Sequence, residues 1–472
     1  MNQENSNLSN ISPLDGRYAG KLGDFNEFVS EAGLIRYRTR VEAAWLLHLS
    51  KDKHIGSDIE LTSESADLLE NIFSNSKELD PAKVKFLEKT TNHDVKAVEY
   101  YLKDLLKSSG ASDKVLAFLH FACTSEDINN LSYGMMLNEV RCSHVLPAMR
   151  SLIDEIGSLA NSYSDLSMLS RTHGQTASPT TLGKEMAVFS WRLHRQRQQL
   201  SSIKLEAKMS GAVGHYNAHI VAYPEVDWIE LSRSFIEERI GLKQNQITTQ
   251  IENHDSTIEY LDSVRRFNSI LLGFCRDIWS YISIGYFSQK TKEGEVGSST
   301  MPHKVNPIDF ENAEGQLGIA NGLLNHFADK LLASRWQRDL SDSTVLRNIG
   351  VALGHSLLAY HSVMKGLGKL VVNQDRLASD LDQAWEVLTE PVQTVMRRRG
   401  VSDAYERLKS FSRGQVVSKQ MLEQFIDSTK ELSEQDKKLL KMLTPNNYTG
   451  LAAQMAEDTV KRIAKESGEG RS

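Results

Sequence analysis

Stretches of apolar residues at helical spacing constrain the fold of this chain more than any other feature. One stretch, over residues 184–210, contains neither proline nor glycine. The apolar residues of the three longest stretches are Leu182, Met186, Phe189, Leu193, Leu200 and Ile203; Ile258, Leu261, Val264, Phe267, Leu271, Phe274, Ile278 and Ile282; and Met149, Leu152, Ile153, Ile156, Leu159, Ala160 and Tyr163. Residues three and four positions apart share one face of a helix. The pattern therefore predicts three long helices, the one nearest the N-terminus beginning or bending near Pro147.

Helices of this length favour one kind of architecture. A helix of about 25 residues is roughly 38 Å long, so we expect an all-α fold with an elongated helix bundle and functional loops at its two ends. The clearest strand signal is the alternation of Ile247, Thr249 and Ile251, which is too short to begin a sheet.

The breadth of the apolar stripes has two interpretations. The stripes either continue a bundle that other subunits complete, or they all face one core within the chain. The length of 472 residues is more than one compact core accommodates. We expect three domains, at 1–113, 114–365 and 366–472, with boundaries in segments that contain glycine and serine.

Composition and charge argue against several classes of protein. A hydrophobic fraction of 40% and a charged fraction of 25% are ordinary for a folded chain. The net charge of -6 argues against a surface built to bind nucleic acid, so an anionic ligand must meet locally placed cations. No apolar run approaches the roughly 20 residues that cross a bilayer, and the first ten residues do not resemble a targeting signal. We expect no membrane partner.

The cysteines indicate a reducing compartment. Cys123, Cys142 and Cys275 form neither a CxxC pair nor another metal-ligand cluster. An odd number of widely spaced cysteines does not suggest a disulfide framework. We therefore expect a cytoplasmic protein.

The segment over residues 294–307, GEVGSSTMPHKVNP, has the most specific composition in the chain. Glycine permits unusual backbone angles and proline prevents a helix from continuing, so the segment is predicted to be a structured loop after a long helix. Such a loop can present backbone N–H groups, Lys304 and a serine hydroxyl to one anion. A plain connection between helices, rich in turn-forming residues, is the alternative.

The block GSSTMPHKVNP resembles the signature of the fumarase/aspartase superfamily, whose members eliminate fumarate from succinyl-type substrates. The histidine before the lysine in MPHK resembles the pattern of the adenylosuccinate lyase family. At that position fumarases usually have glycine and argininosuccinate lyases have glutamine. Further blocks agree across nearly the whole chain: SPLDGRY, TTNHDVKAVEY, FACTSEDINN, SRTHGQTASPT, GAVGHYNAHIVAYPEVDW and SRWQRDLSDSTVLRN.

The resemblance implies an all-α, three-domain carbon–nitrogen lyase of purine biosynthesis. It implies a homotetramer whose active sites combine residues from different subunits. The expected products are fumarate with AMP, and fumarate with aminoimidazole carboxamide ribotide.

The resemblance also implies roles for individual residues. By its place in the signature, Ser298 would be the base that removes a proton next to a carboxylate, once its loop closes and excludes water. By residue type alone Ser298 and Ser299 are indistinguishable, and Ser299 could bind a carboxylate instead. His173 would be the acid that protonates the departing nitrogen, because an imidazole with a pKa of about 6.5 can deliver a proton near neutrality. Glu311 would orient His173 in a pair across helices; otherwise it is an exposed glutamate in the first turn of a helix.

The two carboxylates and the phosphate of such a substrate require several hydrogen-bond donors, and the planar guanidinium of arginine matches both groups. By resemblance, the nucleotide and phosphate contacts are Arg17, Tyr18, Asn92, His93, Asp94, Arg338, Ser343, Thr344, Val345, Leu346 and Arg347. The succinyl contacts are Thr124 and Ser125, and Gln250, Ser299, Lys304, Asn306 and Asn312 should line the same cavity. Taken singly, each would be interpreted as a cap, a turn or a surface charge.

Two further patterns do not indicate a metal or cofactor site. His215 and His219 are four residues apart, as zinc ligands on one helical face are, but the glutamate of HExxH is missing and Gly211 and Gly214 favour a loop. The glycines form neither a dinucleotide fingerprint nor a P-loop. We expect no metal and no cofactor.

Two alternatives to this function remain at the level of sequence. One is another fumarate-releasing lyase, such as argininosuccinate lyase, which the MPHK block disfavours. The other is a helical structural protein that retains the fold without catalysis. The joint presence of Ser298, His173, Glu311 and Lys304 argues against it.

Overall fold

The structure, a computed structural model, describes residues 9–290, 301, 304–414 and 416–468. Most of this part of the chain is helical, and the all-α expectation is confirmed. The α-helices are α1 Asn26–Val29, α2 Glu31–Lys51, α3 Ser63–Ser74, α4 Pro81–Thr91, α5 Asp94–Ser108, α6 Asp113–Ala117, α7 Ser125–Val140, α8 Leu146–Ser162, α9 Leu182–Ser202, α10 Asn217–Ala222, α11 Trp228–Ser234, α12 Asp255–Ser283, α13 Ile308–Leu331, α14 Ser341–Leu346, α15 Ile349–Leu367, α16 Gln374–Asp382, α17 Thr389–Arg398, α18 Ala404–Ser412, α19 Lys419–Ser428, α20 Glu434–Lys441 and α21 Ala452–Gly468.

Short strands interrupt the helices. They are β1 Ser167–Thr172, β2 Gln175–Thr181, β3 Glu206–Ala207, β4 Lys243–Gln244, β5 Phe287–Gln289 and β6 Leu370–Val372. β1 and β2 form an antiparallel hairpin, β5 pairs antiparallel with β6, and β3 pairs parallel with β4. The alternation around Ile247, which is too short to begin a sheet, forms no strand in the structure. The Asn245 side chain accepts a hydrogen bond from the Ile247 amide at 3.1 Å, which forms a turn and leaves Ile247 82% exposed.

The three predicted long helices are present as α8, α9 and α12. α12 contains the whole stripe over residues 258–282, and α8 begins beside Pro147. The chain is helical on both sides of Pro147, because a π-helical turn over Arg141–Val145 joins α7 to α8. This irregular turn lies where the proline ring and its missing N–H group disturb the regular helical hydrogen bonds. Apolar periodicity therefore located these helices correctly.

The helix predicted over residues 184–210 ends earlier than expected. The carbonyls of Leu200 and Ile203 accept hydrogen bonds from the guanidinium group of Arg141, at 3.3 and 2.6 Å, rather than from a further helical turn. The chain then leaves the helix and pairs as β3 with β4. Helical spacing could not reveal this end, because the competing partners come from distant parts of the sequence.

The chain divides into two compact units, of which the first comprises Met1–Ala148, Gln196–Ser269 and Gly315–Ala359. Its core contains large side chains with no exposure, including Trp45, Phe235, Tyr260 and Phe267. The rings of Trp45 and Phe235 meet edge to face at 4.9 Å, a favourable aromatic geometry.

The second unit comprises Met149–Arg195, Ile270–Glu314 and Tyr360–Ser472. Phe189 and Phe274 meet edge to face at 5.3 Å between α9 and α12. A separate apolar cluster joins the hairpin to the C-terminal helices and includes Leu169, Leu388 and Met396. The domain boundaries near residues 113 and 365 remain a prediction. Among the described residues, none of the helices combines the length and the apolar character that crossing a bilayer requires.

Candidate active site

The turn between α4 and α5 carries three of the predicted nucleotide contacts. Asn92 ends α4 in the left-handed conformation, with φ of 49°. His93 caps α5, since its Nδ1 accepts a hydrogen bond from the Lys96 amide at 3.2 Å. Asp94 is the first residue of α5, where a helix N-terminus favours a negative charge. The local sequence therefore places a carboxylate at a rigid turn.

Two arginines share the carboxylate of Asp94. Its Oδ2 lies 2.9 Å from Arg38 Nη2 and 2.8 Å from Arg347 Nη2. Arg347 also lies 2.7 Å from Glu31 Oε2. Burial raises the pKa of Asp94, but Arg38, the Val95 amide and Arg347 together outweigh burial and hold the pKa below its usual value. Asp94 therefore stays ionised and holds both arginines in place.

A chain of hydrogen bonds leads from Arg38 to two further predicted contacts. Arg38 Nε donates to Asn129 Oδ1 at 2.8 Å, and Asn129 Nδ2 donates to Glu126 Oε1 at 2.7 Å. Arg338 Nη2 donates to the same Glu126 oxygen at 2.9 Å, and its Nη1 donates to Gln250 Oε1 at 3.3 Å. Burial raises the pKa of Glu126 above its usual value, although Arg338 opposes this shift. We call the chain of contacts from Arg347 through Asp94 to Gln250 the polar network.

Sequence analysis missed the connecting members of the polar network. Glu126 and Asn129 lie inside the FACTSEDINN block that pointed to Thr124 and Ser125, so the block itself was a signal. Arg38 lies among the buried residues of α2 and is 1% exposed, and its neighbours give no hint of a polar role. A charged side chain in such a place requires partners, because an unpaired buried charge is costly.

Thr124 and Ser125 begin α7 in the same unit. The Thr124 amide donates to Asp127 Oδ2 at 2.8 Å, which closes the first turn of the helix. The preceding His120 and Ala122 have φ of 56° and 57°, in the left-handed region that side chains other than glycine rarely adopt. Backbone strain of this kind concentrates at functional sites. The observation favours a binding role for this loop.

The remaining predicted contacts of the first unit lie near α14 and near the N-terminus. Ser343, Thr344 and Val345 belong to α14, and Arg347 follows its end. Leu346 is 5% exposed, so its side chain belongs to the core. Arg17 is exposed and Tyr18 is half-buried, with the guanidinium carbon of Arg17 lying 5.9 Å from the centre of the Tyr18 ring.

His173 lies at the tip of the hairpin in the second unit. His173 and Gly174 have φ of 53° and 74°, and Thr172 pairs with Gln175 across them. Two central residues with positive φ are typical of the tightest hairpin turns, and glycine adopts this conformation at low cost. The turn leaves the imidazole exposed. The expected pair with Glu311 across helices is thus wrong in one respect, because His173 lies in a hairpin turn and not on a helix.

An ion pair holds the hairpin close to His173. Arg171 Nη2 lies 2.9 Å from Asp380 Oδ2, and the Tyr286 hydroxyl donates to the same oxygen at 3.0 Å. At the far end of the hairpin, a Cβ on Gly183 would lie 2.4 Å from the Ala160 carbonyl oxygen, so only glycine allows this approach of α9 to α8. Both ends of the hairpin are therefore anchored.

The signature segment lies partly outside the described residues. Ser298 and Ser299 are among those not described, so their predicted roles remain predictions. Lys304 is exposed and its amide donates to the Met301 carbonyl at 3.0 Å, while Asn306 is half-buried. The segment leads directly into α13.

Glu311 lies in the first turn of α13 and Asn312 directly after it, and both are exposed. Glu311 Oε1 accepts a hydrogen bond from Trp279 Nε1 at 3.1 Å, and Asn312 Oδ1 accepts one from the Ser362 hydroxyl at 3.2 Å. Within the described residues no hydrogen bond or ion pair joins Glu311 to His173. Their pairing therefore remains a prediction.

The two units thus hold different chemistry. The first unit gathers guanidinium groups, carboxylates and helix N-termini that suit an anionic, hydrogen-bonding ligand. The second unit carries an exposed imidazole and a glutamate that can move protons. In the part of the chain that the structure describes, no group of three or more His, Cys, Asp or Glu side chains is arranged to hold a metal ion.

Comparison with known families divides the chain into two matched regions. Residues 19–322 match the lyase family, and residues 334–449 match the family described as adenylosuccinate lyase C-terminal. Adenylosuccinate lyase of Escherichia coli is 51% identical over 455 residues, which are 96% of this chain and 99% of that protein. The enzymes of Vibrio cholerae and Haemophilus influenzae are each 50% identical, with the same shares of both chains covered.

Solved structures show a similar fold at low sequence identity. Fumarate lyase from Mesorhizobium sp. has a TM-score of 0.74 and is 18% identical, covering 93% of this chain and 97% of that chain. The 3-carboxy-cis,cis-muconate lactonizing enzyme from Pseudomonas putida has a TM-score of 0.73 and is 20% identical, with the same coverage. These two likenesses concern the fold alone.

The two histidines with zinc-like spacing have different environments. His215 is exposed, whereas His219 has no exposure and its ring meets Trp228 edge to face at 4.7 Å. Neither ring nitrogen of His219 has a hydrogen-bond partner among the described residues. Burial lowers the pKa of His219 to about 4, because the charged imidazolium would be deprived of water.

The buried imidazole predicts a specific loss of stability in acid. An unfolded chain protonates His219 near pH 6.5, but the folded chain does so only near 4, so the unfolded state binds more protons between these values. At pH 5 this difference lowers the free energy of unfolding by about 2 kcal/mol, and above about pH 7.5 it has no effect. The free energy of unfolding can be measured with denaturant at pH 8 and at pH 5. Between these values it should fall by about 2 kcal/mol less for His219→Phe than for the original chain. His215→Phe is the control, and equal losses in all three chains would contradict the prediction.

Proposed function

The chain belongs to the adenylosuccinate lyase family, and from this premise we propose that it cleaves the carbon–nitrogen bond of adenylosuccinate, releasing fumarate and AMP. The same elimination on succinyl aminoimidazole carboxamide ribotide supplies its second role in purine biosynthesis. The observation that carries the proposal is the identity of about half of all residues over 96% of the chain. The alternative of argininosuccinate lyase is not favoured.

The reaction is a β-elimination. The C–H bond next to a carboxylate breaks, its electron pair forms the new C=C bond of fumarate, and the C–N bond breaks as the nitrogen takes up a proton. A carbon acid of this kind needs a base held in a site that stabilises the developing negative charge. We assign the base to Ser298, activated by backbone amides and by Lys304 when water is excluded.

We assign the acid to His173. Its place at the tip of an anchored hairpin supports this role, because the tight turn directs the imidazole outwards and both ends of the hairpin are held. Glu311 is assigned to orient the histidine. Its exposure and its position in the first turn of α13 leave its carboxylate accessible.

We assign the recognition of the nucleotide to the two arginines of the polar network, Arg347 and Arg338, with Asp94 and their neighbours. Arg347, Asp94 and Arg338 are the predicted contacts that the network joins. Carboxylates orient the guanidinium groups of Arg347 and Arg338 before any ligand binds. Such preorganisation lowers the entropic cost of binding an anion.

We further propose that the chain forms a homotetramer with shared active sites. In the described part of the chain, Ile319 on α13 is 52% exposed, and a Cβ on Gly315, Gly318 or Gly322 would meet nothing within 4 Å. Small residues beside an exposed apolar side chain allow a second helix to approach closely. The mass of the particle in solution, measured by light scattering, decides the question.

We propose a cytoplasmic location because the cysteines are not joined in disulfides. Cys123, Cys142 and Cys275 are free thiols in the structure. Thiols that remain unpaired suit a reducing compartment. Fractionation of cells that express the chain measures its location directly.

The substrate assignment is tested by fumarate release from three succinylated compounds. The purified chain should release fumarate from adenylosuccinate and from succinyl aminoimidazole carboxamide ribotide, but not from argininosuccinate. Release from argininosuccinate alone would assign the chain to another branch of the lyases. Release from none of the three would favour a structural homologue without catalysis.

Replacing the proposed base should separate chemistry from binding. Ser298→Ala is expected to lower kcat by at least about 10²–10⁴-fold while the dissociation constant for adenylosuccinate stays nearly unchanged, because the hydroxyl acts on the reacting hydrogen. Ser299→Ala is the matched control. It should mainly raise KM if Ser299 binds a carboxylate, and the opposite pattern would exchange the two roles.

Replacing the proposed acid should depend on the leaving group. His173→Gln keeps hydrogen-bonding capacity but cannot deliver a proton, so kcat is expected to fall by about 10²–10⁴-fold for substrates whose nitrogen leaves as a strong base. Substrate analogues with nitrogen groups of lower basicity should lose less. Steady-state rates across such a series measure the dependence, and an equal loss for every analogue would remove His173 from the role of acid.

A further inference from the structure

Lys208 is a cation with no exposure to water in the first unit. Its ammonium group lies 3.2 Å from Asp127 Oδ1, and both side chains are completely buried. The Nζ atom also donates to the carbonyls of Gly211 at 2.9 Å and Gln250 at 2.7 Å, with Thr249 at 3.4 Å. A buried ammonium is tolerated only when its hydrogens are satisfied. Lys208 therefore ties its own loop to the loop that carries Gln250.

Asp127 extends this arrangement to the start of α7. Its carboxylate accepts hydrogen bonds from the amides of Ser210 at 3.0 Å, Gly211 at 3.1 Å and Thr124 at 2.8 Å. The ion pair thus joins three separate segments of the chain through their backbones. One of these segments carries Thr124 and Ser125, the expected succinyl contacts, and another carries Gln250, which is expected to line the same cavity.

The two loops also meet directly. A Cβ on Gly214 would lie 2.5 Å from the Thr248 carbonyl oxygen and 2.6 Å from that of Thr249, and the φ of Gly214 is +89°. Only glycine permits this approach. The Gln250 side chain spans the gap, since its Nε2 donates to the Ala212 carbonyl at 3.0 Å. The loop that carries Gln250 therefore has little freedom while Lys208 stays in place.

We propose that Lys208 is a positioning residue for the succinyl end of the substrate, acting through the backbones of Thr124 and Gln250. The proposal rests on the proposed function, since it takes Thr124 and Ser125 as succinyl contacts and Gln250 as part of the same cavity. The nucleotide end is held differently. Arg347 is bound by Glu31 and Asp94 through contacts that include neither Lys208 nor Gln250. Arg338 is held by Glu126 at 2.9 Å, and its second hydrogen bond, to the Gln250 side chain at 3.3 Å, is the longer of the two. Loss of Lys208 should therefore weaken the site for fumarate and spare the site for AMP.

The test compares fumarate and AMP in the intact, assembled protein. Lys208→Met keeps the length of the side chain but removes the charge and all three N–H donors. In the reverse reaction at saturating AMP, KM for fumarate should rise by about tenfold or more, because several hydrogen bonds to a charged group are lost. The dissociation constant for AMP, measured by calorimetry, should change by less than about twofold. This change is smaller than the loss of one typical hydrogen bond to AMP would cause.

Two further variants keep the proposal falsifiable. Gly214→Ala displaces the loop that carries Gln250 without touching the ion pair and should give the same selective loss, so it serves if Lys208→Met does not fold. Arg141→Met is the matched control, because Arg141 is also a buried cation that donates to backbone carbonyls, those of Leu200 and Ile203. It should lower stability and leave the ratio of the two constants unchanged.

The outcomes separate three explanations. A parallel weakening of fumarate and AMP, as a general loss of structure would cause, overturns the positioning role of Lys208. Unchanged binding of both ligands in Lys208→Met and Gly214→Ala overturns it as well. An original chain that neither releases fumarate from adenylosuccinate nor forms adenylosuccinate from AMP and fumarate would overturn the proposed function instead.

Discussion

The buried ion pair of Lys208 and Asp127 is the interaction on which the arrangement of loops in the first unit depends. Removing two charges from water is costly, and their mutual attraction offsets that cost only when the remaining lone pairs and hydrogens are also satisfied. Here the satisfaction comes from backbone groups of Thr124, Gly211 and Gln250. A movement of any of these segments would leave one hydrogen or lone pair of a buried charged group unsatisfied, at a cost of about 1–3 kcal/mol. The pair therefore restricts the loops to one arrangement, whatever its net effect on stability.

The polar network applies the same principle with arginine. Arg38 and Arg347 share Asp94, and Arg338 binds Glu126, so each guanidinium group is oriented by a carboxylate. Groups that already point in their working direction need little reorganisation when a ligand arrives. The second unit uses Arg171 and Asp380 to hold the hairpin of His173. The proposed roles in recognition and in proton transfer thus fall on separate sets of fixed side chains.

Local patterns allowed much of the fold to be predicted. Apolar spacing located α8 and α12 because a buried helix face repeats within the sequence itself. The hairpin of His173 escaped prediction, since β1 and β2 read SMLSRT and QTASPTT, without a clear alternation of apolar and polar residues. Only the His-Gly dipeptide between them indicated a turn, and the strands form because the two segments pair with each other. The end of α9 escaped for a related reason, because Arg141 takes the carbonyls that a longer helix would have used.

By itself the sequence determined the helical class of the protein, its family and the identity of most candidate site residues, because these are recorded in spacing and in short motifs. Only the tertiary structure decided which polar side chains meet. Glu126 and Arg338 form an ion pair across 212 positions of the chain, and Lys208 reaches Gln250 across 42. No local pattern encodes such a contact. From sequence alone a charged residue is interpreted as a solvated surface group, and only the fold shows that it is buried. Once water is removed, the need of each buried charge for a partner determines which distant residues must come together.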